Sequence, residues 1–109
     1  MFRVGNEIWS MVLVNGSDDV LRRSDMTFTL GVTDNNTHCV YIRNDLSFEK
    51  FQEVLTHEIT HVFAFVYGVD IPIEVEEIVC QFVALYGRDI ISTADKLLNL
   101  LYQRGLLYA

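Results

Sequence analysis

The sequence has few of the residues that mark several common protein classes. It contains 2 cysteines, 1 proline and 6 glycines among 109 residues. So few cysteines exclude a disulfide-rich scaffold, and the low proline and glycine content argues against a disordered, low-complexity chain. Cys39 and Cys80 stand far apart in apolar surroundings, and we expect both thiols to be reduced.

Basic charge and long apolar runs are also scarce. The 8 basic and 15 acidic residues give a net charge of -7, which argues against unassisted binding to nucleic acid or anionic lipid. The strongest apolar run, residues 62–67, is far too short to span a bilayer, and the first residues lack the apolar core of a signal peptide. We therefore expect a single domain over residues 1–109, soluble and cytoplasmic, with no nucleic-acid or membrane partner.

The apolar half of the chain is spaced as in an α+β domain, with strands first and helices after. The pattern predicts strands at residues 8–14, 26–30 and 37–43, then helices at 48–67, 74–86 and about 92–103. We expect the strands to form a small antiparallel sheet of about three strands. Ser47 is a plausible N-cap for the first helix, and Gly68 is placed to end it.

The motif with the clearest chemistry lies in that first helix, where residues 57–61 read His-Glu-Ile-Thr-His. Residues four apart lie on one face of a helix, so His57 and His61 can point two imidazoles at one metal ion, an arrangement that zinc favours. Glu58 is one residue round the helix, where it can reach a water on the metal without being a ligand. The pattern predicts a zinc site with Glu58 as general base.

A zinc site needs at least one more protein ligand. Glu74, Glu76 and Glu77 open the next helix, and a turn at residues 68–72 would bring that helix back against the first. The spacing does not choose among these three glutamates.

Residues 26–90 resemble a minimal gluzincin, the class of zinc peptidases with two histidines and one glutamate as ligands. Thermolysin-like members carry E-x-x-S-D-x-F on the second helix, and the ImmA/IrrE-type metallopeptidases carry E-x-x-A-N-x-F. Here residues 76–82 read Glu-Glu-Ile-Val-Cys-Gln-Phe. Small phage-encoded metallopeptidase-like proteins are similar overall, with a Gly-Val-Thr-Asp turn like residues 31–34 before the helix.

The resemblance implies a zincin-like fold and hydrolysis of a peptide bond in a protein or peptide substrate. His57, His61 and Glu76 would bind Zn²⁺, and Glu58 would move the proton of the attacking water. The substrate would pair with the edge strand before the helix, here residues 26–30. Relatives add an oxyanion-binding side chain, for which the chain offers four candidates: Tyr67, Tyr86, Tyr102 and Arg88.

One residue departs from the family pattern. Cys80 stands where thermolysin-like enzymes have an aspartate that orients a ligand histidine. A thiol is a weak hydrogen-bonding group, so Glu77 or a backbone carbonyl would have to replace that carboxylate, unless Cys80 approaches the metal itself.

Two other functions stay open: a zinc-binding regulatory or interaction protein of phage or prophage origin without turnover, and an interaction domain without metal. A chain this short has few residues with which to form a substrate cleft, and this favours the regulatory or interaction protein. An intact Glu58 favours the peptidase. We expect a structural role for His38. One group of leucines is expected to form core or a dimer seam rather than a membrane-binding stripe: Leu97, Leu98, Leu101, Leu106 and Leu107.

Overall fold

The computed structural model describes residues 1–107 and has a four-stranded mixed sheet beside two long helices, which confirms the α+β prediction. The elements are β1 (Phe2–Val4), β2 (Glu7–Val14), a short 3₁₀ helix (Asp19–Leu21), β3 (Gly31–Asp34), β4 (Cys39–Arg43), α1 (Phe48–Val66) and α2 (Ile73–Gln103). The strand order across the sheet is β1-β2-β4-β3.

The prediction of a three-stranded antiparallel sheet is wrong in two respects. The three-residue strand β1 pairs with β2 and was too short to recognise. In addition, β2 and β4 are parallel, with Ser10 opposite Cys39 and Val14 opposite Arg43. Residues 15–38 return the chain to the start of β2 before β4 begins, the long crossover that parallel pairing requires.

The strand predicted at residues 26–30 is also wrong. This segment is irregular and makes one isolated bridge, between Phe28 and Arg22. The Asp25 carboxylate accepts hydrogen bonds from the backbone N–H (3.0 Å) and the hydroxyl (2.6 Å) of Thr27, and Met26 has a φ of 72°. A local turn of this kind outcompetes a strand ladder. The edge strand before α1 is therefore β3.

The hydrophobic core lies between the sheet and α1. Trp9, Val40 and Ile42 of the sheet and Val62 of α1 are fully buried and belong to one cluster. On α1 the buried face also includes Glu58 and His61. Two residues of the His-Glu-Ile-Thr-His motif, Glu58 and His61, therefore lie on the same side of α1 as the apolar residues that pack on the sheet.

The boundaries of α1 agree with the prediction to within one residue. The Ser47 hydroxyl accepts a hydrogen bond from the backbone N–H of Lys50 at 3.2 Å, as an N-cap does. Beyond the helix, Gly68 has a φ of 65°, the left-handed conformation common after a helix C-terminus.

The two helices predicted after α1 are a single helix, α2, of 31 residues. Gly87 lies inside it, at a cost of about 1 kcal/mol relative to alanine, and Ser92 and Thr93 continue the helix rather than cap a new one. Within residues 1–107, no helix is long and apolar enough to cross a membrane.

Gly31 holds β3 close to α1. A Cβ atom built at Gly31 would lie 2.8 Å from Cγ1 of Val54 and 3.1 Å from Cγ of Glu58. Real side chains do not approach so closely. The glycine therefore sets the distance between the edge strand and the helix that carries Glu58.

We expect Gly31→Ala to lower the free energy of unfolding by about 1–3 kcal/mol, because the added methyl group overpacks this contact. Urea denaturation of the metal-free protein measures the change. Gly16→Ala is the matched control: its Cβ would meet only the guanidinium end of Arg43, which can move aside. Equal stability of the two variants would contradict the role given to Gly31.

Candidate metal centre

The two histidines of α1 face the N-terminal half of α2 across the helical hairpin. The rings of His57 and His61 have centroids 5.1 Å apart and are tilted by 64°. Both side chains are largely buried, with 17% and 9% of their surface exposed. The turn at residues 67–72 thus brings both histidines against the glutamates of α2, as the sequence predicted for that turn.

The ring of His61 has a carboxylate at each nitrogen. Its Nδ1 lies 2.6 Å from Oε2 of Glu76, and its Nε2 lies 2.5 Å from Oε1 of Glu77. A neutral imidazole has one N–H donor and one acceptor, so it can donate to only one of these groups. The other contact brings two electron-pair acceptors together, which requires a proton or a metal cation between them.

The ring of His57 is held by an amide. Its Nδ1 lies 2.9 Å from Oε1 of Gln81, whose Nε2 donates to Oε2 of Glu53 at 3.3 Å. Hydrogen bonds from Lys50 and then Gln81 hold the pKa of Glu53 below its usual range. Because the Glu53 carboxylate can only accept, the amide nitrogen must face it, and the amide oxygen must accept from Nδ1–H of His57. In the neutral imidazole of His57 the lone pair is therefore on Nε2.

The two Nε2 atoms converge on one carboxylate. Oε2 of Glu77 lies 3.5 Å from Nε2 of His57, while Oε1 of Glu77 faces Nε2 of His61. Each Nδ1 is occupied by a hydrogen-bonding partner from α2. Imidazoles that ligate metals in proteins are oriented in this way, with the second nitrogen donating to an oxygen.

Cys80 is the third side chain of a candidate metal cluster. His57, His61 and Cys80 each offer a ligand atom, and these atoms lie within 4.8 Å of one another. The thiol is fully buried, and burial, followed by the charges of Glu76, Glu77 and Glu58, raises its pKa to about 12. The metal-free protein therefore holds Cys80 as the neutral thiol at physiological pH.

Glu58 is buried beside the histidines and held by the edge strand. The Thr33 hydroxyl lies 3.0 Å from Oε1 and 3.1 Å from the backbone oxygen of Glu58, so it can donate to either. Burial raises the pKa of Glu58, and the repulsion of Glu77 adds to this, whereas the Thr33 hydrogen bond and the two histidines oppose it. A carboxylate whose pKa moves toward neutrality suits a general base.

These groups border a cleft of about 440 Å³ between the 28–32 segment and the two helices. His57, Glu58, His61, Glu77 and Gln81 line it, together with Arg23, which precedes the irregular segment 26–30. Glu76 lines a smaller cavity on the other side of His61, with Thr33 and Phe65. The two adjacent glutamates thus differ: Glu77 lines both the cleft and the smaller cavity, whereas Glu76 lines only the smaller cavity behind His61.

Several residues considered from the sequence lie elsewhere. The four oxyanion candidates, Tyr67, Tyr86, Tyr102 and Arg88, do not line the cleft in the described part of the chain. His38 stacks on Trp9, with ring centroids 4.6 Å apart, and its Nε2 lies 3.2 Å from Glu7, which is a structural position. Sequence reasoning did not assign site roles to Thr33, Glu53 or Gln81; Gln81 was detectable as the amide one turn after Glu77.

Comparison of the chain with models of protein families, with curated proteins and with solved structures finds no match. The assignment of function therefore depends on the residues themselves.

We expect Glu58→Gln to stabilise the metal-free protein more at pH 7 than at pH 4. The pKa of Glu58 is higher in the folded than in the unfolded state, so wild-type stability is lost as the pH rises through the folded-state pKa. A neutral amide removes this loss and still accepts from Thr33. Urea denaturation with a chelator at both pH values measures the difference between variant and wild type. A difference that shrinks as the pH rises would contradict the shift.

Proposed function

We propose that this chain is a zinc-dependent peptidase in which His57, His61 and Glu77 bind the metal and Glu58 is the general base. One observation carries the proposal: the two Nε2 atoms and the Glu77 carboxylate meet while both Nδ1 atoms are occupied. Three electron-pair donors that face one another repel unless a cation lies among them. Two imidazoles and one carboxylate are a donor set that Zn²⁺ takes in catalytic sites.

The third ligand in this proposal is Glu77 rather than Glu76, the residue favoured from the sequence. Glu76 contacts Nδ1 of His61, the position of an orienting carboxylate, and is 7% exposed behind the ring. Shifting the gluzincin pattern by one residue places Glu77 at its glutamate, Cys80 at its serine and Gln81 at its aspartate. In this shifted alignment, the residue at the aspartate position is Gln81, which contacts Nδ1 of His57. Gln81 can therefore orient the ligand histidine, which Cys80 could not do.

The chemistry is then hydrolysis by a water molecule in the cleft. A bound zinc ion would act as a Lewis acid and lower the pKa of that water. Glu58 accepts the proton of the water as it attacks the peptide carbonyl and passes it to the leaving amine. The Thr33 hydroxyl keeps the Glu58 carboxylate in place, and Arg23 is a cation at the cleft that can face the substrate.

The edge of the sheet supports binding of an extended peptide. β3 is an edge strand, and its residues Gly31 and Val32 line the cleft beside His57. A substrate segment that paired with β3 as an extra strand would have its backbone beside Glu58. The edge-strand binding expected at residues 26–30 is thus transferred to β3.

A zinc protein without turnover is the second candidate, and Cys80 is the observation that favours it. If the Cys80 thiolate joined His57, His61 and Glu77, four protein ligands would close the site, as in structural zinc sites. The cobalt-substituted protein separates the two candidates. Absorption from thiolate-to-cobalt charge transfer would support the closed site, and its absence would support the open one.

The ligand assignment predicts a graded response to three alanine substitutions. We expect Glu77→Ala to lose most of its zinc affinity and Glu76→Ala to lose about 10–100-fold, because it removes only an orienting partner. Glu74→Ala is the matched control, since Glu74 opens the same helix but contacts neither histidine among the ion pairs described. Competition titration with a chromophoric chelator measures each affinity. A larger loss for Glu76→Ala than for Glu77→Ala would reverse the two roles.

We expect Glu58→Gln to bind zinc as tightly as the wild type and to lose at least about 100-fold in peptide hydrolysis, because it cannot take the proton of water. Cleavage of a mixed peptide library, followed by mass spectrometry, measures activity, and zinc content measures the metal. Undiminished cleavage by the zinc-loaded variant would remove Glu58 from the mechanism. A zinc-loaded wild type that cleaves nothing would favour the second candidate.

A further inference from the structure

The C-terminal half of α2 extends beyond the rest of the molecule. At 1.5 Å per residue, the 31 residues of α2 span about 46 Å and the 19 residues of α1 about 28 Å. The molecule is correspondingly 57 Å long but only 30 by 28 Å across. About three turns of α2 therefore have no element among residues 1–107 to pack against, and every residue from Arg88 to Gln103 is exposed.

This projecting helix is amphipathic. A stripe along one side has the alternating spacing of four and three that is typical of a helix–helix seam. Its residues are Val83, Gly87, Ile90, Ala94, Leu97 and Leu101. The charged residues of the helix after Gly87 lie outside the stripe: Arg88, Asp89, Asp95 and Lys96. Isoleucine and leucine side chains exposed to solvent along such a stripe indicate that another protein surface binds there.

We propose that the missing partner is a second copy of this chain, whose α2 packs antiparallel on this stripe about a twofold axis near Ser92. In this register, residue i of one copy lies opposite residue 184 - i of the other. The stripe residues then face one another across the axis, which makes an isologous, self-complementary contact.

Side-chain size favours this register. Gly87 lies opposite Leu97 of the second copy, Ala94 opposite Ile90, and Val83 opposite Leu101. A small or medium residue thus meets a larger one in each layer, which lets two helices approach closely and fill the seam. The twofold axis repeats each of these three contacts, so the stripe of one chain forms six layers with the stripe of the other.

The charged residues do not oppose this pairing. At 100° per residue, Arg88, Asp89, Asp95 and Lys96 lie about 120–140° from the centre of the stripe, on the far side of the helix. No charged residue after Gly87 in α2 therefore enters the seam.

An apolar groove continues the seam onto the body of the molecule. Leu55, Ile59 and Phe63 of α1 line it together with Val83 of α2. In this register α2 of the second copy ends at Gln103, opposite residue 81, so its last turn reaches the end of this groove beside Val83. The groove uses a different face of α1 from the one that carries His57 and Glu58 to the cleft, so pairing leaves the candidate metal centre open.

Sedimentation equilibrium of the full chain tests the proposal, with circular dichroism as the check on folding. We expect a dimer for the wild type and a roughly 100-fold weaker dimer for Leu97→Glu, because two acids would enter the seam. Leu85→Glu is the matched control: Leu85 is 49% exposed on the same helix but lies about 160° from the centre of the stripe. A monomeric wild type, or equal weakening by both variants, would overturn the proposal.

Discussion

The contact between the Glu77 carboxylate and the two Nε2 atoms is the constraint on which the proposed site depends. Glu53 orients Gln81, Gln81 fixes the tautomer of His57, and Glu76 occupies Nδ1 of His61. In the neutral rings, the two hydrogen bonds at Nδ1 leave an electron pair on each Nε2, directed at the Glu77 carboxylate. Such a concentration of acceptors costs free energy in the metal-free protein, and a divalent cation would convert that cost into binding.

The fold supplies the rigid parts that this convergence needs. The apolar face of α1 packs on the sheet and carries Glu58 and His61 inward, and Gly31 lets β3 approach closely enough for Thr33 to hold Glu58. The turn at residues 67–72 then returns α2 along the other side of α1. The site is thus built from one edge strand and one helical hairpin, while the remainder of α2 extends outward and presents an apolar stripe.

Local patterns predicted the helices better than they predicted the sheet. The Ser47 cap, the apolar period and Gly68 defined α1 because each signal acts within a few residues. The alternation at residues 26–30 was misleading because the side chain of Asp25 makes a turn there, and β1 was too short to show a period. The parallel pairing of β2 and β4 depends on contacts distant in sequence, which no local pattern contains.

The candidate site was accessible from the sequence as a set of residue types but not as a set of roles. The spacing of His57 and His61 follows from helical geometry alone, whereas the difference between Glu76 and Glu77 is a rotation of one residue about α2. That rotation is set by which face of α2 packs on α1, and the burial of Cys80 and Ala84 determines it. Gln81 becomes recognisable as a positioning residue only once this face is known.

Anomalous diffraction at the zinc absorption edge, from crystals grown with zinc, is the most direct measurement of the central claim. The proposal predicts one strong peak within bonding distance of Nε2 of His57, Nε2 of His61 and the Glu77 carboxylate, with Glu76 still contacting Nδ1 of His61. A map without a peak between the two histidines, or with Glu76 as the bonded carboxylate, would contradict it.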